Sequence, residues 1–406
     1  MRIQELRDGP SGHLLEDFAE ELRQTGYSGI TARGHIRAAE HLIYWISREG
    51  LSINTLDERV VEDFAHHLHR CQCPEYGHTY RLKLRHGVRL FFKYLQRAGV
   101  ISASIIEQSV QNPHLFAAFC QWMRERRGTS DLTLYNYGLP LRDLLKSLGE
   151  DPGKFDAQSL RMFILEKSQQ CGWAAAKNCT TALRMFLRFL IAEGKCPAAL
   201  EAAIPALAHW RLSSLPRYLQ PDEVERIIAS CDPASPVGKR DRAILLLLAR
   251  LGLRAGDIVQ LRPSEIDWPG AWIHVSGKGR CQTRLPLTQE IGEALVTYLE
   301  DCRPQSAADR VFIRIRAPFR ALASHSAVSV IVTRAMRRAG VTCPSRGAAH
   351  LLRHSAATSM LREGASLHEI AAILRRRSIE TTQIYAKVDV GLLRQIAQPW
   401  PEVESC

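Results

Sequence analysis

The first 200 residues contain a divergent repeat, and this repeat restricts the N-terminal half of the chain to two similar helical units. In each copy an apolar residue and an aspartate precede two apolar residues at helical spacing: Leu56, Asp57, Val61 and Phe64 in one, Phe155, Asp156, Leu160 and Phe163 in the other. The apolar segments 89–95 and 184–190 also match, and a glycine, a common helix terminator, follows each four residues later. Chance similarity between amphipathic helices is the alternative. A small helical bundle present twice, over 12–100 and 113–197, explains both matches.

The second half of the chain has a different pattern. Residues 198–217 are mixed in composition and contain two prolines, which favours a linker. The segment 220–223 is typical of a helix start, and the apolar segment 240–251 predicts a helix that Gly252 ends. Segments 272–275 and 283–287 flank a glycine-rich stretch and predict a β-hairpin, and helices are expected again from about residue 325. We therefore predict a mainly α fold with one small antiparallel β-sheet, whose last domain spans 218–398.

Positive charge is concentrated in this second half. The formal net charge is +12; residues 211–400 hold 28 Lys and Arg against 17 Asp and Glu, whereas residues 1–210 hold 26 against 23. A basic domain beside a nearly neutral region is the electrostatic pattern of a protein that binds a polyanion. Because no basic amphipathic or lipidated segment stands out, nucleic acid is favoured over a membrane surface. Charge that serves solubility alone is the other interpretation.

Several classes of protein and site are disfavoured. The longest apolar run, Ala243–Ala249, is too short to span a bilayer, and the N-terminus lacks an apolar signal stretch, so we expect a cytoplasmic, nucleoid-associated protein. The 11 cysteines are odd in number and irregularly spaced, which favours reduced thiols. Cys71 and Cys73, near His78, are a weak metal signal because no second pair follows at ligand spacing. We expect neither a metal nor another cofactor.

Four segments of the basic half carry side chains suited to binding phosphate or moving protons. Arg254 follows the predicted helix end at Gly252, where a guanidinium can reach phosphate oxygens, and Asp257 lies three residues later. Lys278 lies at the tip of the predicted hairpin and can protonate a leaving oxygen if its pKa is lowered. Taken singly, each cation is better explained as a solvated surface residue.

The third segment is His350-Leu351-Leu352-Arg353-His354. Residues three apart share a helix face, so His350 and Arg353 can bind one ligand. His350 and His354 have the spacing of a zinc motif, but the glutamate of H-E-x-x-H is missing and no obvious third ligand follows. We therefore interpret the segment as a phosphate-binding pair of histidine and arginine.

The fourth segment ends in Tyr385, which is expected in the second turn of a helix capped by Ser378. A phenol with a pKa of about 10 is a poor nucleophile at neutral pH unless cations stabilise its anion or a base removes its proton. The arginine cluster 375–377 precedes it in the chain. Viewed alone, Tyr385 is equally compatible with half-buried packing beside its apolar neighbours.

The order of these segments resembles the tyrosine recombinase (phage integrase-like) family. Arg254 with Asp257 resembles the first box of that family, Lys278 its hairpin lysine, segment 350–354 its second box and segment 381–385 its nucleophile box. The resemblance extends over about 212–395, and four boxes in order over about 130 residues are a specific signal. The helical repeats resemble the SAM-like core-binding bundle of the family, present twice.

The resemblance implies that the Tyr385 oxygen attacks a DNA phosphodiester, which gives a 3′-phosphotyrosyl bond and a free 5′-hydroxyl. Arg254 and Arg353 would hold the non-bridging oxygens. His350 would manage the phenolic proton, and Lys278 would protonate the departing 5′ oxygen. Neither a metal nor ATP is required, because arginines neutralise the phosphate and the covalent link stores its energy.

The resemblance also implies the partners and the type of reaction. The substrate would be double-stranded DNA, and the assembly would be a homotetramer on DNA or a complex with related recombinases. The reaction would be site-specific recombination for integration, excision or transposition of a mobile element. Affinity would come mainly from phosphate contacts and fall steeply with salt.

One position departs from the family pattern. The residue nine before the tyrosine is usually histidine or tryptophan, within a Leu-Gly-His stretch, and here it is Arg376. Because tryptophan is accepted there, the position donates a hydrogen bond and packs rather than shuttling a proton. Arginine donates and carries charge, but it cannot pack like an indole. A catalytically impaired DNA-binding accessory protein is therefore one rival interpretation. A type IB topoisomerase-like enzyme, which shares the chemistry, is another.

Overall fold

The computed structural model describes residues 12–73, 76, 81–101, 113–207, 215–276, 282–345, 347–376 and 378–388. These residues are mostly helical with one small antiparallel sheet, which confirms the predicted fold class. They divide into two units, one within residues 1–101 and 212–406 and the other within residues 102–211. None of the helices in the described ranges is long and apolar enough to cross a membrane.

The described residues of the first bundle form four α-helices, and a 3₁₀ turn at Ile53–Thr55 precedes the third of them. The helices are α1 (Gly12–Gln24), α2 (Gly29–Arg48), α3 (Glu58–His67) and α4 (Arg81–Arg97). Each contributes one apolar face to a common core, in which Phe18, Leu42, Phe64 and Phe91 are completely buried. The bundle therefore has its own hydrophobic core.

The second unit repeats this arrangement, with a 3₁₀ turn at Pro152–Lys154 before its third helix. Its helices are α5 (His114–Arg127), α6 (Asp131–Leu148), α7 (Ala157–Gln170) and α8 (Trp173–Ala192). A short helix, α9 (Ala199–Ala202), follows, and Leu200 and Ile204 join the core of this unit. Residues 199–204 of the expected linker thus pack on the second bundle.

The matched residues of the repeat perform the same local roles in both bundles. Asp57 caps α3 and Asp156 caps α7, each by accepting backbone N–H bonds from the first turn. Gly99 and Gly194 follow the last helices with φ values of +71° and +68°, a region that glycine adopts without steric penalty. Similar caps at matching positions argue against chance similarity.

In the remaining region, the residues that the structure describes form seven α-helices. They are α10 (Pro221–Ala229), α11 (Pro236–Ala249), α12 (Ala255–Gln260), α13 (Gln289–Asp301), α14 (His325–Arg338), α15 (Ala348–Arg362) and α16 (Leu367–Ile373). Helix α11 is buried on nearly all sides, as its apolar segment 243–249 requires. The predicted start of α10 is confirmed, because Glu223 accepts the backbone N–H of Gln220 at 2.8 Å.

The sheet consists of β1 (Ile266–Asp267), β2 (Trp272–Ser276) and β3 (Gln282–Pro286), antiparallel and in that order. Ile273 faces Leu285 across the β2–β3 pair, and both are buried. The predicted hairpin is therefore confirmed to within one residue at the strand ends. Strand β1 was not predicted because two residues carry no recognisable alternation. Lys278, at the hairpin tip, lies outside the described residues.

The segment that carries Tyr385 is not the α-helix that the sequence predicted. It forms two 3₁₀ segments, Ile379–Thr381 and Gln383–Val388, and Ser378 makes no side-chain capping bond. The backbone N–H and the hydroxyl of Thr381 both donate to the carbonyl of Ser378, over 3.1 and 2.7 Å. Because these bonds span three residues and Thr381 is β-branched, the tighter 3₁₀ turn replaces the helix.

Candidate active site

Arg353 joins two chain segments that are distant in sequence. It lies on α15, is 3% exposed, and donates hydrogen bonds to the carbonyl oxygens of Gly252 and Leu374. Gly252 has a φ of +57°, and a Cβ there would lie 2.7 Å from the Leu374 side chain. Glycine is therefore needed both for the turn after α11 and for the close approach of the segment after α16.

Arg254 is the N-cap residue of α12 and is fixed at both its backbone and its side chain. Its backbone N–H donates to Asp257 Oδ2 over 2.9 Å, and its Nη2 donates to the carbonyl oxygen of Arg375 over 3.0 Å. The Asp257 carboxylate also forms an ion pair with the guanidinium of Arg375, and both side chains are largely buried. Asp257 thereby ties the Arg254 segment to the chain that leads to Tyr385.

Arg375 has an unusual backbone and unsatisfied donors. Its φ is +51°, a region that residues other than glycine rarely adopt, and it stands where the family pattern has glycine. Its Nε and Nη1 are buried and have no hydrogen-bond partner among the described residues. Such donors next to the other arginines provide hydrogen-bonding capacity for an anion.

The arginines of this site lower one another's pKa values. Burial lowers the pKa of Arg353 to about 9, and the positive charges of Arg254 and Arg375 act in the same direction. Burial likewise lowers the pKa of Arg254, an effect that Asp257 partly offsets. Protein groups thus neutralise only part of the positive charge of these arginines, and a bound phosphodiester would neutralise the rest.

Tyr385 is completely buried, and two side chains contact its phenolic oxygen. Nη2 of Arg376 donates to that oxygen over 2.9 Å, and Nδ1 of His354 lies 2.9 Å from it. The Arg376 guanidinium also lies 5.2 Å from the centroid of the tyrosine ring and donates to the carbonyl of Thr381. Burial raises the pKa of Tyr385, whereas Arg376 and Arg353 lower it, so the phenol is protonated at neutral pH.

His354 was not among the predicted site residues. Burial, with the charge of His350 as the next cause, lowers its pKa to about 4. Burial also lowers the pKa of His350, whose ring meets that of His354 edge-on with centroids 4.3 Å apart. Both imidazoles are therefore neutral at pH 7 and can accept a proton. The spacing of four from His350 was the available signal, since it places both rings on one face of α15.

The fold brings together predicted residues from three of the four segments and from the arginine cluster 375–377. The gathered residues are Arg254, His350, Arg353, Arg376 and Tyr385. To these the structure adds Asp257, His354 and Arg375 through direct contacts. Lys278 lies outside the described residues, so its place relative to the site stays a prediction.

Comparison with known proteins identifies the family of this chain. The model of the Phage integrase family matches residues 217–391. The putative integrase/recombinase y4rA of Sinorhizobium fredii is 36% identical over 408 residues, which cover 97% of this chain and 95% of that protein. The tyrosine recombinase XerC of Bacillus pumilus is 28% identical over 292 residues, which cover 68% of this chain and 92% of XerC.

Two solved structures share the fold. XerH bound to palindromic difH substrate, in a post-cleavage complex, has a TM-score of 0.57 at 21% identity over 69% of this chain and 83% of that one. A lambda integrase dimer bound to a core site has a TM-score of 0.54 at 21% identity over 72% of this chain and 98% of that one. With the match to y4rA along nearly the whole length, the chain belongs to the phage integrase family of tyrosine recombinases, enzymes that break and rejoin DNA strands.

Proposed function

We propose that this chain is a site-specific recombinase or integrase in which Tyr385 attacks a DNA phosphodiester and forms a 3′-phosphotyrosyl intermediate. The observation that carries the proposal is the position of the phenolic oxygen, 2.9 Å from both Arg376 and His354. A nucleophile, a proton acceptor and cations thus share one site, which is what cleavage by a phenol requires.

Arg254 and Arg353 are assigned to the non-bridging oxygens of the scissile phosphate. Main-chain carbonyls anchor both guanidinium groups, which fixes their planes before DNA binds. A guanidinium has five N–H donors, and these contacts use one donor of Arg254 and two of Arg353. Preorganised donors of this kind stabilise the charge that develops on the oxygens of a five-coordinate transition state.

The phenolic proton passes to a histidine. His354 contacts the phenol through Nδ1 and is neutral at pH 7, so it can accept the proton. The family resemblance assigns this step to His350. His350 lies one turn before His354 on α15, and its ring packs against that of His354. Lys278 is assigned to the departing 5′ oxygen on its position in the sequence alone.

Arg376 takes the place of the histidine or tryptophan usual in the family and keeps the function of a donor. It donates to the Tyr385 oxygen and lowers the pKa of that phenol. A cation at this distance stabilises the phenolate as the proton leaves. The departure in residue type is therefore compatible with catalysis.

The observed arrangement is assigned to a resting state. Tyr385 packs among Ala357, Ile370 and Leu374, so a duplex phosphate reaches its oxygen only after segment 378–388 shifts. That segment is held by hydrogen bonds of 3₁₀ type, which have poorer geometry than those of an α-helix.

The proposed substrate is double-stranded DNA, bound mainly through its phosphates. Residues 211–400 hold 28 Lys and Arg against 17 Asp and Glu, which supports this assignment. We assign the bundles at 12–100 and 113–197 to core DNA binding and residues 218–398 to catalysis. Lambda integrase forms a tetramer on a Holliday junction, with a TM-score of 0.52 to this chain. A homotetramer, or an assembly with related recombinases, is proposed by analogy, acting in the nucleoid on a mobile element.

A nicked suicide substrate tests the nucleophile directly. Incubation with a duplex whose cleavage releases a short strand traps the covalent complex, which denaturing electrophoresis detects as a shifted band. Tyr385→Phe should abolish the band. Tyr218→Phe is the matched control, because Tyr218 also accepts a hydrogen bond from an arginine, Arg362, at 2.9 Å but lies outside the site. The control variant should form the adduct at the wild-type rate.

Two results would overturn parts of this proposal. No adduct with the wild-type chain on any fragment that it binds would favour the accessory DNA-binding protein. An adduct together with relaxation of supercoiled plasmid, but without exchange between two sites, would favour the topoisomerase-like enzyme. Sequencing the DNA trapped on Tyr385 then identifies the target site.

A further inference from the structure

The first bundle contains a compact group of two cysteines and two histidines, none of which belongs to the site around Tyr385. One ligand-type atom from each of His41, His67, Cys71 and Cys73 lies within 4.8 Å of every other. The Sγ of Cys71 lies 3.4 Å from Nε2 of His41, and the Sγ of Cys73 lies 3.3 Å from Nε2 of His67. Four soft or borderline donors therefore converge on one point.

Three separate parts of the bundle supply these side chains. His41 lies inside α2 and is 1% exposed, and His67 is the last residue of α3. Cys71 and Cys73 follow where the chain leaves α3. The backbone N–H of Cys73 donates to the Sγ of Cys71 over 3.4 Å, which turns both thiols to the same side.

Two of the distances between the donor atoms fit a tetrahedral ion. Zinc binds thiolate sulfur at about 2.3 Å and imidazole nitrogen at about 2.0–2.1 Å, so neighbouring ligand atoms in a tetrahedron are about 3.3–3.8 Å apart. The two sulfur–nitrogen distances of 3.4 and 3.3 Å lie in that range. Two thiolates and two imidazoles are also a common donor set of structural zinc sites.

Aromatic rings hold both imidazoles in place. Tyr76 stacks on His41 with centroids 4.4 Å apart and planes 5° apart, and Phe64 meets the same ring edge-on at 5.0 Å. The ring centroid of Trp45 lies 5.7 Å from that of His67. The imidazole rings of His41 and His67 therefore have fixed orientations, as metal ligands require.

The second bundle, built on the same plan, joins its helices differently at this place. Helix α7 runs to Gln170, and two residues separate it from α8, whereas thirteen residues separate α3 from α4. An ion pair between Lys167 and Asp143, 2.7 Å long, connects α7 to α6. In the first bundle the cluster of His41, His67, Cys71 and Cys73 connects α3 and the longer segment after it to α2.

We propose that His41, His67, Cys71 and Cys73 bind one zinc ion that fixes the segment after α3 onto α2. Binding converts both thiols to thiolates and releases their two protons to solvent, and the histidines coordinate as neutral imidazoles. The resulting centre has no net charge, which suits its position beside the bundle core. The C-x-C pair alone did not predict the site, because His41 lies 30 residues before Cys71 and only the fold brings them together.

Metal content of the full-length protein tests the proposal. The chain purified with zinc in the medium should contain one zinc ion, measured by plasma mass spectrometry. Cys71→Ser and Cys73→Ser should each reduce the bound zinc at least fivefold after gel filtration. Cys171→Ser is the matched control, because Cys171 follows α7 as Cys71 follows α3 but is exposed and outside the cluster. It should keep the full zinc content.

Cobalt substitution tests the wild-type chain without any variant, in case the serine variants fail to fold. Co²⁺ alone, added to the metal-free protein, should give the absorption bands of a tetrahedral site with thiolate ligands, and zinc should erase them. Titrated thiols should number two fewer in the zinc form. Zinc-free protein with no cobalt spectrum would overturn the proposal, and so would a Cys71–Cys73 disulfide found by mass spectrometry in freshly purified protein. Undiminished zinc in both serine variants would also overturn it. Because the site lies outside the catalytic residues, these outcomes are independent of any cleavage assay.

Discussion

Nη2 of Arg376 donates a hydrogen bond to the phenolic oxygen of Tyr385 over 2.9 Å, and the same guanidinium lies 5.2 Å from the centroid of the tyrosine ring. One side chain thus provides both a donor and a face contact. The sequence suggested that an arginine could donate here but could not pack as an indole does. In the structure its planar group packs on the ring of Tyr385 itself.

Removal of the Arg376 guanidinium should slow cleavage without preventing DNA binding. We expect Arg376→Ala to lower the single-turnover rate of adduct formation by about 10²–10³, the usual effect of losing one preorganised donor. Arg376→His keeps a donor and should stay within about tenfold of the wild type. Arg362→Ala, which removes a comparable arginine–tyrosine contact at Tyr218, is the control. A wild-type rate for Arg376→Ala would exclude any contribution of this residue to the reaction.

Substitution of Arg353 should affect both stability and cleavage. Arg353→Ala leaves the buried carbonyls of Gly252 and Leu374 without their donor, so we expect a loss of about 1–3 kcal/mol in the free energy of unfolding in urea. Arg353→Lys cannot bond both carbonyls and a phosphate at once, and should lower adduct formation by at least about 10². Arg338→Ala, which removes an exposed donor to the carbonyl of Ser230, should change stability by less than about 1 kcal/mol. Equal stability of the Arg353→Ala and Arg338→Ala variants would contradict the anchoring role.

The free energy of unfolding should decrease as the pH is lowered, because of His354. Its pKa is about 4 in the folded protein and about 6.5 when unfolded, so the unfolded chain binds more protons between these values. The stability is fully present above pH 6.5 and is lost as the pH falls toward 4. Between pH 7 and pH 5 we expect a loss of about 1–2 kcal/mol from this residue. Urea unfolding at both pH values should show a smaller loss for His354→Asn, and an identical loss would place the effect elsewhere.

The backbone of Arg375 predicts an inverted order for two small substitutions. Glycine normally destabilises relative to alanine, but at a φ of +51° it avoids the steric penalty of a Cβ. Arg375→Gly and Arg375→Ala both remove the ion pair with Asp257, so their difference isolates the backbone. We expect the glycine variant to be more stable by about 1 kcal/mol in urea unfolding. A more stable alanine variant would show that the segment changes conformation once the guanidinium is gone.

Local sequence patterns were sufficient for much of the fold. The start of α10 and the β2–β3 hairpin were predicted because they depend on residues within a few positions of one another. The order of Arg254, His350, Arg353 and Tyr385 likewise predicted the recombinase family to which the chain belongs. The prediction of an α-helix that begins at Ser378 was wrong, because threonine hydroxyl bonds favour 3₁₀ turns there.

Contacts between distant segments were decided by tertiary structure alone. The bond from Arg353 to Gly252 spans 101 residues, and that between Arg375 and Asp257 spans 118. His354 meets Tyr385, and His41 meets Cys71, across 31 and 30 residues. The sequence by itself determined most of the helices and the β2–β3 hairpin, and it showed which side chains are suited to chemistry, because these depend on short-range backbone preferences and on side-chain chemistry. Only the packing of buried faces decides which of those side chains share a site. This packing determines which groups surround the phenol of Tyr385. It also determines whether two thiols and two imidazoles from separate segments lie close enough to bind one ion.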